Sequence, residues 1–465
     1  MKRGIALVVL ALFILSAAAP LLAQGSVLKL PPYKKVKLPN GLTVLLMEQH
    51  EVPLVSFNFV VRSGSVADPA GKEGVADLVA SLLRRGTKTR TADQFAAELD
   101  FIGGRLSLGA GYDSSEGSAE FMKKDLPKGL DLLADALLNP TFPDEEVTKM
   151  LKQNIDGIKS AKDNAGGVIS RYFSAYLYGG HPYGRPIGGD EKSLAAITRA
   201  DVVNFYQTYY TPSNTILAAV GDFSTAEMEK MLTEKFGAWP NKAALAARLP
   251  EATPVAGKRL LLVDKPDSTQ TYFRIGNVGI TRSNPDRVFI QVINTLFGGR
   301  FTSMLNGELR VNSGLTYGAG SSFSQRKGRG PFAISTYTRN ASTERAIDLT
   351  LDVLNRLHEK GIAEQDLQSA KSYIKGQFPP SIETSDALAS LLTELEFYGL
   401  DEREINDFYA KIDSMTLADA QRVIKQYFPR ENLVFVLIGK ASEIGELVKK
   451  YAPTVDTKSI TQPGF

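Results

Sequence analysis

The 465-residue chain has no cysteine and only three histidines, His50, His181 and His358. Without cysteine, disulfide scaffolds, cysteine-ligated zinc, iron–sulfur clusters and thiol nucleophiles are excluded. A three-histidine metal site would have to use all three, and they lie far apart in the chain. Charge of one sign is not in excess either: 54 Lys and Arg against 51 Asp and Glu leave a formal net charge of +3. That gives no electrostatic footprint for nucleic acid. A disordered chain is also excluded, because 43% hydrophobic residues and a balanced charge match a globular protein. At about 150 residues per domain, the length predicts two to four domains, each able to bury a core.

Residues 1–25 read MKRGIALVVLALFILSAAAPLLAQG. Lys2 and Arg3 form a positive start, Ile5–Leu15 is uninterrupted apolar sequence, and small residues with Pro20 follow. This order predicts a secretory signal peptide over residues 1–25, cleaved near Ala19 or Ala23. The alternative is an uncleaved anchor, since Gly4–Ala23 could just span a bilayer. No cysteine follows, so a lipidated cysteine is excluded. The expectation is export, to a bacterial periplasm, with no membrane span left after cleavage.

The remaining chain repeats one plan. Tyr33–Leu38 and Leu42–Glu48 flank Pro39-Asn40-Gly41, and Asn-Gly predicts a hairpin turn. Pro53–Arg62 alternates, with Val55, Phe57, Phe59 and Val61 on one face. A helix is predicted over Glu73–Arg85 from the stripe Val75, Leu78, Val79, Leu82 and Leu83. Thr91-Ala-Asp-Gln94 is a capping-box start for the next helix. A hairpin, a helical stretch and the strand Asn214–Gly221 complete this part. Residues 238–257 carry three prolines and little periodicity, and read as a linker. Strands Lys258–Asp264 and Gln270–Val278 then restart the plan, which ends in strand Asn432–Gly439 and helix Ala441–Tyr451. Tyr210-Thr-Pro-Ser-Asn214 before one late strand matches Tyr427-Phe-Pro429 before the other, so an internal duplication of about 215 residues is predicted. The fold class expected is α+β. It has two similar domains, 26–237 and 258–465, each a mainly antiparallel sheet covered by helices, set as a clam-like pair.

The stretch Gly74-Val-Ala-Asp77-Leu-Val-Ala80-Ser81, followed by Gly86-Thr87, resembles the zinc-site segment of the insulinase/pitrilysin and mitochondrial-processing-peptidase zinc metallopeptidases. That motif is Gly-x-x-His-x-x-Glu-His with a later Gly-Thr. Asn40-Gly41-Leu42, Ser63-Gly64-Ser65, His181-Pro-Tyr-Gly184, Tyr210–Gly221 and Gly298-Gly299-Arg300 fit the same family in order and spacing. In an active member, positions 77 and 81 would carry zinc-binding histidines and position 80 a general base, all on one helix face. Here they are Asp77, Ala80 and Ser81, and the third ligand falls at Gly157, whose neighbour Asp156 is out of register. The resemblance therefore implies a degenerate zinc site, with no metal held by this chain. Asp77 reads as a solvated carboxylate in the N-terminal half of its helix, favoured by the dipole.

The family's second functional pattern, Arg-x-x-x-Gly-Leu-x-Tyr, is kept in Arg310-Val-Asn-Ser-Gly314-Leu-Thr-Tyr317. Arg310 is expected near the end of a helix over about Thr302–Asn312 and Tyr317 in the first strand after it. A guanidinium and a phenol are hydrogen-bond donors that could grip a substrate carbonyl or an oxyanion. From spacing alone, Arg310 reads as an ordinary last-turn cation and Tyr317 as a core or interface aromatic; it is the family frame that favours the functional reading. The resemblance implies the non-catalytic subunit of an exported heterodimeric zinc peptidase. Its partner would be a homologue with the intact zinc motif, where the zinc would reside, and its substrate a peptide or unfolded protein. A structural or chaperone-like scaffold of the same fold is the alternative. An independent enzyme of another chemistry lacks any nucleophile–base motif. His181 sits in a turn-rich loop, His50 and His358 read as surface residues, and Arg326-Lys-Gly-Arg329 reads as a solvated hairpin tip.

Overall fold

The computed structural model describes residues 29–242 and 247–465. The expected signal peptide lies outside the described residues, as does part of the expected linker; residues 247–257 carry no helix or strand.

The first half opens with the expected hairpin, β1 (Lys34–Lys37) and β2 (Thr43–Glu48). Gly41 supplies a φ of +95°, and the Asn40 side chain accepts the Leu42 amide at 3.2 Å while donating to the Phe236 carbonyl at 2.7 Å. With β3 (Leu54–Val61), β4 (Arg105–Ala110), β5 (Ser115–Met122) and β6 (Thr215–Gly221) it forms a six-stranded sheet ordered β1-β2-β6-β3-β5-β4. Only the β2–β6 pairing is parallel. Its helices are α1 (Val75–Leu82), α2 (Ala92–Phe101), α3 (Leu126–Leu138), α4 (Asp144–Ala161), α5 (Ala165–Tyr178), α6 (Glu191–Ala196), α7 (Arg199–Tyr209) and α8 (Thr225–Phe236). The Thr91 capping box is formed, Thr91 Oγ1 taking the Gln94 amide and Gln94 Oε1 the Thr91 amide.

The second half repeats the sheet with β7 (Arg259–Asp264), β8 (Gln270–Val278), β9 (Ala319–Phe323), β10 (Pro331–Arg339), β11 (Val434–Gly439) and β12 (Thr454–Ser459), ordered β12-β7-β11-β8-β10-β9. Place for place, β2 matches β7, β6 matches β11, and β3, β5 and β4 match β8, β10 and β9. The outer edge differs. β1 comes from before its sheet and runs antiparallel to β2, whereas β12 comes from after its sheet and runs parallel to β7. Its helices are α9 (Arg287–Asn294), α10 (Met304–Asn306), α11 (Thr343–Lys360), α12 (Glu364–Gln377), α13 (Ser385–Tyr398), α14 (Arg403–Asn406), α15 (Phe408–Ser414), α16 (Leu417–Tyr427) and α17 (Ala441–Val448).

One face of each sheet packs on helices of its own half; Phe57 and Phe59, for example, share a core with Leu78 and Leu82. The other face is covered from the opposite half. α13 lies across β3 and β6 and buries Leu388, Leu392 and Leu395 against Leu45, Val60 and Ile216. α5 lies across β8 and β11 and buries Ile169, Tyr172 and Phe173 against Leu261, Val436 and Ile438. The alternation in β3 predicts one buried face, yet both are buried. Asn58, on the face without the stripe, donates to Ser390 at 3.2 Å and accepts from Thr393 at 2.6 Å, both on α13. The buried amide is thus satisfied by the helix that buries it. Arg62 donates to the carbonyls of Glu396 and Phe397, and Phe465 packs edge-on against Tyr172 at 5.3 Å. The two halves are therefore interlocked by exchanged helices.

Among the described residues, no helix is long and apolar enough to cross a membrane.

Candidate functional site

Helix α1 is set by its entry. Gly74 adopts a φ of +102°, where an added Cβ would also press on Gly188 and Gly189 at 3.0 Å. The Asp68 carboxylate accepts the amides of Gly74 (2.7 Å) and Ala76 (2.9 Å), satisfying helix-start donors that no side chain on the cap itself reaches. Burial pushes its pKa up to about 8, against the pull of those two amides.

Asp77 is not the solvated carboxylate the sequence suggests. It is largely shielded and accepts the Ala110 amide at 3.2 Å; burial raises its pKa and that hydrogen bond opposes the rise. The cover comes from the end of β4 and from the 184–190 loop, where an added Cβ on Gly188 would stand 3.6 Å from Asp77 Oδ2. Ala80 is buried and Ser81 half-buried on the same helix. α4 packs against α1, and Gly157 on it is exposed, with open space where a side chain would be. The donor set is thus one carboxylate with one oxygen on an amide, one methyl, one hydroxyl and one bare backbone position. It does not fit a zinc ion, which needs three strong protein ligands. Among the described residues, no group of three or more His, Asp or Glu is placed to hold a metal ion.

The Arg310 segment differs from expectation in its backbone. The predicted helix over Thr302–Asn312 is a short α10 that widens into a π-type turn, Gly307–Asn312. The strand starts at Ala319, not Leu315, so Tyr317 precedes it. The cause is local. The amides of Leu315 and Thr316 bond back to the Leu309 carbonyl at 2.9 and 3.3 Å, and Gly314 at φ +62° allows that reversal. Side chains of Thr316 and Thr336 take the Gly318 carbonyl, which a longer strand would offer to β10.

Both candidate side chains face solvent. The Arg310 guanidinium sits 4.7 Å from the Phe301 ring centre. Tyr317 is 79% exposed, beside Val311 at 65% and Phe301 at 62% in the same segment. Among the described residues, neither Arg310 nor Tyr317 has a hydrogen-bond or ion-pair partner for its side chain. The segment behind them is fixed: Asn306 donates to the Phe301 carbonyl at 2.6 Å, and Glu308 pairs with Arg356 at 3.2 Å. The structure brings Asp77, Ala80 and Ser81 together on α1 beside α4. It puts Arg310 and Tyr317 on a separate rim of the other half.

The histidines have structural partners. His181 Nδ1 accepts the Tyr183 amide, and its Nε2 is 3.0 Å from the Pro250 carbonyl. His358 Nε2 meets the Phe428 carbonyl at 2.7 Å. The basic run 326–329 is a junction between halves, not a solvated tip: Arg326 lies over the Tyr112 ring, Asp113 accepts the Lys327 amide, and Tyr178 donates to the Arg329 carbonyl. Sequence reasoning could not find this, because the partners lie far away in the chain.

Comparison with known proteins gives a consistent picture. Residues 43–191 match the family described as Insulinase (Peptidase family M16), and residues 196–374 match the Peptidase M16 inactive domain. An "uncharacterized zinc protease" of Rickettsia felis is 26% identical over 429 residues, covering 92% of this chain and 97% of the relative. One of Mycobacterium tuberculosis is 28% identical over 402 residues, covering 85% and 91%. A crystal structure described as a peptidase M16 inactive domain from Pseudomonas fluorescens superposes with a TM-score of 0.83 at 27% identity, over 88% of this chain and 98% of that one. A protease from Helicobacter pylori shares the fold, with a TM-score of 0.82 at 22% identity, over 88% and 100%.

Proposed function

The chain belongs to peptidase family M16, the insulinase family, and from that premise we propose that it is the non-catalytic subunit of an exported heterodimeric zinc metallopeptidase. Its partner in this reading is a homologue with an intact His-x-x-Glu-His motif, and zinc belongs to that partner. The observation that carries the proposal is a contrast: α1 offers one carboxylate and no imidazole where zinc ligands would stand, while Arg310 and Tyr317 face solvent with no hydrogen-bond or ion-pair partner among the described residues.

The chemistry follows from the two side chains. A guanidinium stays charged at any working pH, and a phenol donates one proton in a fixed direction. Presented to a peptide bound by the partner, they can hydrogen-bond the scissile carbonyl and hold the developing oxyanion. Phe301 and Val311 provide apolar surface around them for a peptide or unfolded segment.

Co-expression with such a homologue and a peptidase assay test the reading. Hydrolysis is expected from the pair and not from this chain alone. Arg310→Ala or Tyr317→Phe should lower turnover while the two subunits still co-purify. Full activity in both variants would leave a scaffold role instead, and chelator-sensitive hydrolysis by the purified chain would overturn the proposal.

A further inference from the structure

Across the Gly188 loop from Asp77, and away from the Arg310 rim, three arginines share one cleft. It measures about 350 Å³ and lies where α5 and the 184–188 loop of the first half meet the strands of the second. Arg171 comes from α5, Arg274 from β8 and Arg326 from the β9–β10 connection. Ser170, Ser174 and Ser324 add hydroxyls to the wall, and among the described residues no aspartate or glutamate lines it.

None of the three guanidiniums has a hydrogen bond or an ion pair among the described residues. Arg274 Nε and Arg326 Nη1 are buried with no acceptor in reach. Packing alone holds them. Arg326 is 3.8 Å from the Tyr112 ring centre and 4.8 Å from that of Tyr183, and Arg171 is 5.2 Å from that of Phe465. The nearby carboxylates are engaged elsewhere. Asp113 takes the Tyr183 hydroxyl (2.8 Å) and the Lys327 amide (2.9 Å), and Asp77, behind Gly188, takes the Ala110 amide.

Grouped, partly desolvated guanidiniums without a counter-charge are destabilising unless an anion completes them. One carboxylate would engage a single guanidinium fork. Three forks with hydroxyls between them match a multiply charged, tetrahedral oxyanion better. We propose that this cleft is a binding site for a phosphate-class oxyanion, held by Arg171, Arg274 and Arg326. The cleft is larger than a phosphate ion, so a phosphomonoester with a small organic group fits the same chemistry.

Calorimetric titration of the full chain at low salt tests this, with inorganic phosphate, glycerol 1-phosphate and succinate as probes. Saturable phosphate binding is expected, weakened about tenfold or more in Arg274→Met, with succinate binding more weakly than either phosphate. Tighter binding of glycerol 1-phosphate than of inorganic phosphate would identify the ester as the better ligand within the proposal. The melting temperature adds a second readout. Wild type should rise with phosphate, whereas Arg274→Met should melt higher than wild type without phosphate and rise less with it. Should Arg274→Met fail to fold, Arg171→Gln on the exposed rim should weaken phosphate binding. The proposal is overturned if wild type shows no saturable phosphate binding, if the folded variants bind as wild type does, or if succinate binds tighter than phosphate.

Discussion

The first half places its motif helix, α1, behind cover; the second half places its candidate segment, 301–317, on an open rim. In the first, Asp77 is largely covered by β4 and the Gly188 loop and accepts a backbone amide with one carboxylate oxygen. In the second, Arg310 and Tyr317 have backbone support beneath them and, among the described residues, no hydrogen bond or ion pair at their ends. Strand order is nearly the same in both halves, so fold alone does not separate these roles. What separates them, among the described residues, is that Asp77 is covered and accepts an amide whereas Arg310 and Tyr317 are exposed with no hydrogen-bond partner for their side chains.

The comparison can be broken most sharply at α1. Asp77→His, Ser81→His and Gly157→Glu together restore three ligand types in a frame where position 157 has open space. The triple variant is expected to bind zinc with a micromolar or tighter Kd, a gain of about 8 kcal/mol over a chain with no site. It should stay inactive, because Ala80 supplies no base. Zinc content after dialysis and chelator competition would measure this, and no uptake would mean that α1 and α4 do not keep a zinc-site frame.

Next is the equivalence of the exchanged helices. Phe173→Ala in α5 and Leu392→Ala in α13 both remove fully buried side chains at the face of the opposite sheet. Each should cost about 3–5 kcal/mol within one unfolding transition. Two separate calorimetric transitions would show that the halves are not interlocked as described.

A smaller effect separates the candidate sites. In the complex with a zinc-bearing homologue, Arg310→Ala is expected to lower turnover about 100-fold, roughly 2.7 kcal/mol. Ser81→Ala should leave turnover unchanged. Equal losses in both would put the two halves on the same footing.

The smallest effect concerns matching turns after β2 and β7. Hydrogen bonding to Asp222, then to Glu48, raises the pKa of the exposed His50. Its folded-state pKa lies above the unfolded one, so the stability it contributes is present below about pH 6.5 and is lost as pH rises through the folded value. His50→Gln should flatten that slope in a melting-temperature profile. The matching turn carries Lys265 paired with Asp267 at 2.9 Å, and Lys265→Gln should leave the slope as it is.

Much of this architecture was legible in local patterns. The Asn40-Gly41 turn, the Thr91 capping box and the apolar stripe of α1 are each decided by neighbours a few residues away. β12 escaped because Thr454–Ser459 is a mostly polar edge strand, half out of the core, with no alternation to mark it. The burial of Asn58 and Asp77 escaped because their covers, α13 and the Gly188 loop, are far away in the chain. The motif frame located α1 and the Arg310 segment, but it could not show that one is closed and the other open. The arginine cleft had no sequence signal, since its three cations come from three separate elements.

The helix exchange also sets an order on synthesis. The first sheet is complete once β6 has emerged, yet the face bearing Val60 and Ile216 stays uncovered until residues 385–398 follow. The chain therefore cannot bank a finished N-terminal unit early, and its maturation is governed by contacts of very long sequence separation, the slow class of folding event. A nascent chain of this kind stays threadable for longer, and a gene cut at residues 238–257 should give two aggregation-prone fragments in place of two domains.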